Sequence, residues 1–404
     1  MLHPRLSVSV SALLLTGISC LSPALVCAAD PGAASQSPAA GLSDQERQQV
    51  RTEMESIADR LNTFRDQQHL SADLWADVHV FLKAIRWTLD FQPLETEEDW
   101  KQLHDGLQHA RDRLELLEAG RPDWPHRKGQ VARAYISEVD GSVQSYALTI
   151  PAGYDPEVPI RLDVVLHGSM RASGDAELKF LLARNNDAPP PATDYIELFP
   201  LGRIGENAYR FEGETDIDEA IAAVCRQYRI DRDRIVLRGS SLGGVGTWQL
   251  GLRRPDRYAA LGPNAGPVDT YEFANSPWPH FVRLRQLTPW QERMLPLTDA
   301  INYAANAGMV PVVAVMGSED HYYSSHLLIQ KAFAEAGVPF NGFTDYGAGH
   351  GVSPEARQVQ LALARIGRAE LLSGNLRHSE LINTIVIQPN PASRSLRIML
   401  ESNA

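Results

Sequence analysis

Cysteine is scarce, with three residues in a chain of 404. Cys20 and Cys27 fall in an N-terminal stretch that reads as a removable leader, so Cys225 stands alone in the remainder and no internal disulfide is expected there. Cys225 lies in "AIAAVCRQY" on an apolar helical face and reads as a small packing residue rather than a nucleophile. Basic charge is also short: 38 Lys and Arg stand against 50 Asp and Glu, a formal net charge of -12. Such a surface repels phosphate backbones, which argues against nucleic acid as a partner. Long apolar runs are lacking as well. The apolar or small-residue core at 6–19 is short for a membrane span, which needs ~20 apolar residues. No stable membrane insertion is expected. No metal-ligand spacing is present, and "RGSSLGG" lacks the lysine of a phosphate-binding loop. Neither a metal site nor a phosphate-binding loop is expected from these residues.

What is present suits a globular protein with one large domain or two smaller ones, at 44% hydrophobic and 22% charged residues. Residues 1–29 read as a signal peptide. Arg5 supplies a positive start, 6–19 the core, and Val26-Cys27-Ala28 or Cys27-Ala28-Ala29 the small residues of a cleavage site. A secreted or periplasmic location follows as an expectation, with an uncleaved anchor as the alternative. Residues 30–42 include "DPGAASQSPAAG" and read as a flexible linker.

Residues 43–120 carry three helical stripes. Val50, Met54, Ile57, Leu61 and Phe64 form the first, and Leu74, Val78, Phe81, Ile85 and Leu89 the second, with Ser71 as its N-cap. Trp100, Leu103, Leu107, Ala110, Leu114 and Leu117 form the third, opened by a Thr96/Asp99 capping box and closed at Gly120. From 121 to 372 the pattern becomes strands and then strand–helix alternation. "VARAYIS" and "VQSYALTI" read as a hairpin, and "IRLDVVLHG" and "DYIELFP" as strands. A helix is expected over 216–228 behind a Thr215/Asp218 capping box, followed by strands at 235–238, 258–262, 311–316 and 339–345 and a last helix near 354–371. Antiparallel strands followed by alternation predict an α/β fold, a mostly parallel sheet with helices on both faces, preceded by the small helical region. Residues 373–404 read as a C-terminal extension with a β-hairpin around "QPNPAS".

"IVLRGSSLGGVGTW", 235–248, places two serines on a glycine-rich corner between a strand and a helix. Gly239-Ser240-Ser241-Leu242-Gly243 matches G-x-S-x-G with Ser241 central. A serine on such a corner is exposed and strained, and glycines two residues to either side avoid clashes across the turn. The helix starting there aims the Leu242 N–H at the site, where it can stabilise an oxyanion. Ser240 faces elsewhere. His167-Gly168 ends an earlier strand, and the second oxyanion donor is assigned to the N–H of Ser169, with Met170 as the alternative.

A serine hydroxyl needs a base, and the base needs an orienting acid. Where this corner serves catalysis, acid and then base follow the serine along the chain. "VPVVAVM" leads into Gly317-Ser318-Glu319-Asp320, and Asp320 is preferred as acid over Glu319. "DYGAGHGVSPEA" carries His350 between glycines just before the final helix, and His350 is the candidate base. His321 and His326 come too early and sit beside the acid.

With these pieces the chain resembles the α/β-hydrolase superfamily over about residues 128–370. Within it the likeness is to prolyl-oligopeptidase-like catalytic domains and to esterase-D-like and feruloyl-esterase-like secreted hydrolases. "DVVLHG", "GETDIDEAI", "YRIDRDRIVLRGSSLGGVGTW", "GSED" and "GAGHG" carry it. "LWADVHVFLKAIRWTL" and "VARAYISEVDGSVQSYALTIPAGYDP" are similar to a bacterial group of secreted prolyl-oligopeptidase-like proteins with a helical N-terminal region. The resemblance implies an α/β-hydrolase fold and a serine hydrolase using Ser241, Asp320 and His350 without metal or cofactor. True prolyl oligopeptidases carry a large upstream β-propeller, whereas the region here is short and helical. A carboxylic ester, of carbohydrate or aromatic-acid type, is the preferred substrate class because its leaving group departs with less help from His350. A peptide bond is the alternative, and a non-catalytic binding module on the same fold is the second alternative. The expected partner is thus a small-molecule or oligomeric ester or peptide substrate, and the oligomeric state stays open. In the insertion at 266–294, Tyr271, Phe273, Trp278, Phe281 and Trp290 either line a pocket or anchor the insertion.

Overall fold

The structure, a computed structural model, describes residues 43–203, 205–277, 284, 286–340, 342–363, 385–389 and 396–400. Residues 1–42, on which the expected leader and linker fall, Trp278, Phe281 and the chain beyond 363 up to the terminal strands lie outside the described residues.

The three stripes form α1 (Asp44–Gln68), α2 (Ala72–Phe91) and α3 (Glu97–Glu118). Their starts are fixed by side chains. Ser43 and Glu46 form a capping box for α1, the Ser71 hydroxyl accepts from the Leu74 N–H, and Thr96 with Asp99 caps α3. The stripe of α1 buries Val50, Met54, Ile57 and Leu61. Helix α2 is buried on more than one side, with Ala76, Val78, Val80, Phe81, Leu82 and Ile85 all inside. It packs against α1 and α3 and also against the first strand of the sheet.

That sheet has eight strands: β1 (Gly129–Ile136), β2 (Val143–Ile150), β3 (Ile160–Leu166), β4 (Tyr195–Pro200), β5 (Ile230–Ser240), β6 (Ala260–Asn264), β7 (Ala314–Gly317) and β8 (Gly342–Asp345). Their order is β1-β2-β4-β3-β5-β6-β7-β8. Strand β2 runs antiparallel to both neighbours, and every pair from β4 to β8 is parallel. Helices α4 (Ala176–Ala183), α5 (Glu212–Gln227), α6 (Leu242–Arg253), α7 (Thr270–Ala274), α8 (Pro289–Met294), α9 (Tyr323–Glu335) and α10 (Pro354–Leu363) fill the connections. Strands β9 (Ile385–Pro389) and β10 (Leu396–Leu400) pair antiparallel around "QPNPAS". Among the described residues no helix is long and apolar enough to cross a membrane.

Several elements depart from their sequence signals: β5 begins at Ile230 rather than 235, β7 at Ala314 rather than 311 and β8 at Gly342 rather than 339, and α5 departs in its cap. Helix α5 begins at Glu212, a turn before the expected start, and its N-cap residue Phe211 makes no side-chain cap. Ala208, Tyr209 and Phe211 all adopt positive φ, a sharp reversal that glycine-free sequence does not advertise. Thr215 therefore sits inside the helix, and the Asp218 carboxylate pairs with Arg254 and Arg257 instead of capping. Cys225 is half-buried against the core, and burial pushes its thiol up, away from reactivity.

A buried ionic cluster joins the N-terminal helices to the sheet. The Asp77 carboxylate of α2, fully buried, accepts from Arg133 Nε at 2.9 Å, from Trp124 Nε1 at 2.9 Å and from the Ala134 N–H at 2.7 Å. Arg113 of α3 donates to the carbonyls of Asp77 and Ala132, each at 2.7 Å. Removing one partner of a buried pair strands the other charge, at a cost of about 3–5 kcal/mol. Asp77→Ala is therefore expected to lower unfolding free energy by about that amount, read in urea denaturation. A loss below about 1 kcal/mol would show that the helical region is not held through this cluster.

Candidate active site

The corner at the end of β5 follows from two features of the sequence. Arg238 on β5 donates from Nε to Asp163 Oδ2 on β3 at 2.9 Å, while Arg161 holds Asp163 Oδ1 at 2.6 Å. This pins β5 against β3 just before the turn. Glycine then lets the chain reverse. A Cβ on Gly243 would lie 2.1 Å from the Leu166 carbonyl oxygen, and one on Gly239 would lie 2.5 Å from the Gly243 oxygen. Between them Ser241 takes φ 59° and ψ -120°, a sparsely populated conformation for a residue with a side chain. The Ser241 N–H is held by the Asn264 carbonyl at 3.0 Å.

Asp320 follows β7 and His350 follows β8. Their loops are laced together: the Glu319 N–H donates to the Ala348 carbonyl at 2.9 Å, and the Gly347 N–H to the Ser318 hydroxyl at 2.9 Å. This lacing brings His350 over the strand ends. Its Nε2 lies 2.9 Å from Ser241 Oγ and its Nδ1 lies 2.9 Å from Asp320 Oδ2. Asp320 is buried, and its other oxygen accepts from the Tyr322 N–H at 2.9 Å. Glu319, by contrast, is exposed. A hydroxyl, an imidazole and a buried carboxylate in this row can move a proton off the serine and stabilise the imidazolium that results.

The second loop of the site is that after β3. Gly168 is close enough to Ser241 that a Cβ on it would lie 3.5 Å from the serine's Cβ. The Met170 N–H is already committed to the Gly205 carbonyl at 3.1 Å. The N–H groups of Ser169 and Leu242 have no such bond among the described residues. His167 braces this loop rather than reaching the serine. Its ring nitrogens lie 2.7 Å from the Gly168 oxygen and 3.0 Å from the Leu201 oxygen, and burial holds the imidazole below its usual range. The Tyr209 hydroxyl donates to the His167 carbonyl at 3.1 Å.

Further side chains named in the sequence take their places around this row. The His321 ring stands 5.0 Å from that of His350, and its Nδ1 is 3.5 Å from Asp320 Oδ1. Asp320, His321 and His350 thus offer donor atoms within 4.8 Å of one another, the one grouping among the described residues that could hold a metal ion. His326 is buried away from the row, and desolvation lowers it to about 4. Of the insertion aromatics, Phe273 packs on Leu242 and Val245, while Tyr271 and Trp290 are exposed.

Residues 204–366, which include Ser241, Asp320 and His350, match the model of the prolyl oligopeptidase family. No curated protein sequence matches the chain. Solved structures it is similar to include a substrate-bound fluorophosphonate-binding serine hydrolase F of Staphylococcus aureus, at 15% identity and TM-score 0.45, covering 59% of this chain and 98% of that one. A ferulic acid esterase matches at 18% identity and TM-score 0.42, covering 59% and 96%. A dipeptidyl aminopeptidase IV-like protein of Bacteroides ovatus matches at 17% identity and TM-score 0.43, covering 58% and 35%. At this distance none of them bears on the substrate. The chain has an α/β-hydrolase type of sheet, and its residues 204–366 are similar to the prolyl oligopeptidase family, a likeness that supports a serine hydrolase.

Proposed function

We propose that the protein hydrolyses carboxylic esters through an acyl-enzyme, with Ser241 as nucleophile, His350 as base and Asp320 as the orienting acid. The observation that carries this reading is the position of His350, 2.9 Å from Ser241 Oγ on one side and 2.9 Å from Asp320 on the other. Ser241 Oγ attacks the ester carbonyl carbon as its proton passes to His350 Nε2. The carbonyl oxygen becomes an oxyanion facing the Ser169 and Leu242 N–H groups. Collapse breaks the bond to the alcohol, which leaves with the proton from His350. Water then gives its proton to His350, attacks the acyl carbon, and releases the acid and Ser241. Asp320 keeps Nε2 free to accept by holding the proton on Nδ1. The bond of the Met170 N–H to the Gly205 carbonyl supports Ser169 over Met170 as the donor on the β3 side.

An ester is favoured over a peptide because an alkoxide is expelled more easily than an amine anion, so less is asked of His350. The match to the prolyl oligopeptidase family keeps peptide cleavage as the second reading. A side-by-side panel separates them. p-Nitrophenyl and feruloyl esters are expected to be cleaved at least a hundredfold faster, in kcat/KM, than proline-containing peptides. Peptides cleaved as fast as the esters would replace the ester assignment.

A further inference from the structure

A cavity of about 710 Å³ opens beside the loop that follows β3. Trp87 and Phe91 of α2, Met170 and Leu201 give it an apolar lining, and Gln144 and Arg203 a polar border. Its volume is that of a small-molecule site, and most of its exposed lining is apolar, with the charged side chains of Lys83, Asp140, Glu177 and Arg203 also among the lining residues.

Three observations tie it to the chemistry. Met170 follows Gly168 and Ser169, and successive Cα atoms are 3.8 Å apart, so Met170 sits within roughly 12 Å of Ser241. The cavity is bordered by β2, by the loops that follow β1, β3 and β4, and by α2, all on one side of β5 in the sheet order. Asp320 and His350 come from β7 and β8 on the other side. The leaving group must lie beside His350, which protonates it. The substituent that can extend away from His350, into this cavity, is therefore the acyl group.

The wall is also built to stay in place. Lys83 of α2 donates to the Val143 carbonyl at 2.5 Å and pairs with Glu177 of α4 at 2.9 Å. Gly174 fits so tightly against the end of α2 that a Cβ there would lie 2.8 Å from the Phe91 carbonyl carbon. Against this fixed frame Trp87 and Phe91 are 54% and 67% exposed, with their rings 5.5 Å apart. Two neighbouring aromatic rings left open at the mouth of a cavity offer stacking surface to a ligand. On the polar border, Arg203 Nε is buried and without a hydrogen-bond partner among the described residues.

We infer that Trp87 and Phe91, from the N-terminal helical region, form with Met170 an acyl subsite that selects esters of bulky, apolar, ring-bearing acids over esters of short acids. This rests on the serine-hydrolase reading above and adds to it which half of the substrate the cavity takes. It gives α2 a part in specificity as well as in stability. The polar border would receive a hydrogen-bonding substituent on the ring.

The test compares p-nitrophenyl 4-phenylbutyrate with p-nitrophenyl acetate in the full-length protein, together with equilibrium binding of the neutral amide 4-phenylbutyramide by calorimetry. The parent protein is expected to favour the phenylbutyrate in kcat/KM by tenfold or more. Trp87→Ala with Phe91→Ala should lower that ratio at least tenfold and weaken amide binding in parallel. Both side chains are largely exposed, so folding is expected to survive their removal. Ala172→Trp, which fills the cavity from its exposed rim, should have the same effect. If Ser241 were not the nucleophile, neither ester would turn over through it, yet amide binding and its loss in the variants would still support the subsite. A ratio and an amide affinity that stay unchanged in the Trp87/Phe91 double variant and in Ala172→Trp would overturn it.

Discussion

Replacing Ser241 with alanine is expected to cut ester turnover by about a thousandfold or more, because no acyl-enzyme can form. Residual hydrolysis would come from binding and the oxyanion donors acting on water. The fold should be kept, since the Ser241 hydroxyl is only part-buried and its backbone bond to Asn264 does not involve the side chain. Alanine also suits the position no worse than serine does at φ 59°. The neighbouring Ser240→Ala should cost at most about 1 kcal/mol of local hydrogen bonding and leave most of the activity. Steady-state kinetics of the two variants with a p-nitrophenyl ester make the comparison. Equal losses in both would show that the corner matters only as structure.

Asp320→Asn is expected to lower kcat by roughly 10³–10⁴ with little change in KM. The asparagine amide is nearly the same size but can present an N–H to His350 Nδ1. That would shift the ring proton to Nε2, where it can no longer accept from Ser241. Glu319→Gln should change kcat by less than about threefold, because Glu319 is exposed and touches neither ring. Thermal unfolding of both variants alongside the kinetics separates lost geometry from lost stability. A large loss in Glu319→Gln beside a small one in Asp320→Asn would reassign the acid.

Much of this arrangement is legible along the chain because the relevant signals are local. Gly239 and Gly243 mark a corner that admits no Cβ, and the strand before Ser241 and the helix after it are both written in short apolar runs. The order of Ser241, Asp320 and His350 could be read because each follows a strand of one parallel sheet, whose carboxyl ends gather on one edge. The contacts that were hidden are those between distant segments. Nothing in the spacing says that the His321 ring lies 5.0 Å from that of His350, or that Asp77 reaches Arg133 across 56 residues. The stripe of α2 announces a buried face, yet it does not announce that Trp87 and Phe91, off that stripe, face a cavity formed by other elements. The early start of α5 is hidden from the sequence for a related reason. Ala208, Tyr209 and Phe211 take positive φ without glycine, so tertiary packing rather than local preference sets the turn.

The most direct test of the central claim is covalent trapping with a fluorophosphonate followed by peptide mapping. A single adduct is expected, on Ser241, formed with the folded protein and absent after denaturation or in Ser241→Ala. It should form far more slowly in Asp320→Asn, since phosphonylation needs the same proton transfer to His350. An adduct on another residue, or labelling that persists undiminished in Ser241→Ala, would contradict the assignment of Ser241 as nucleophile.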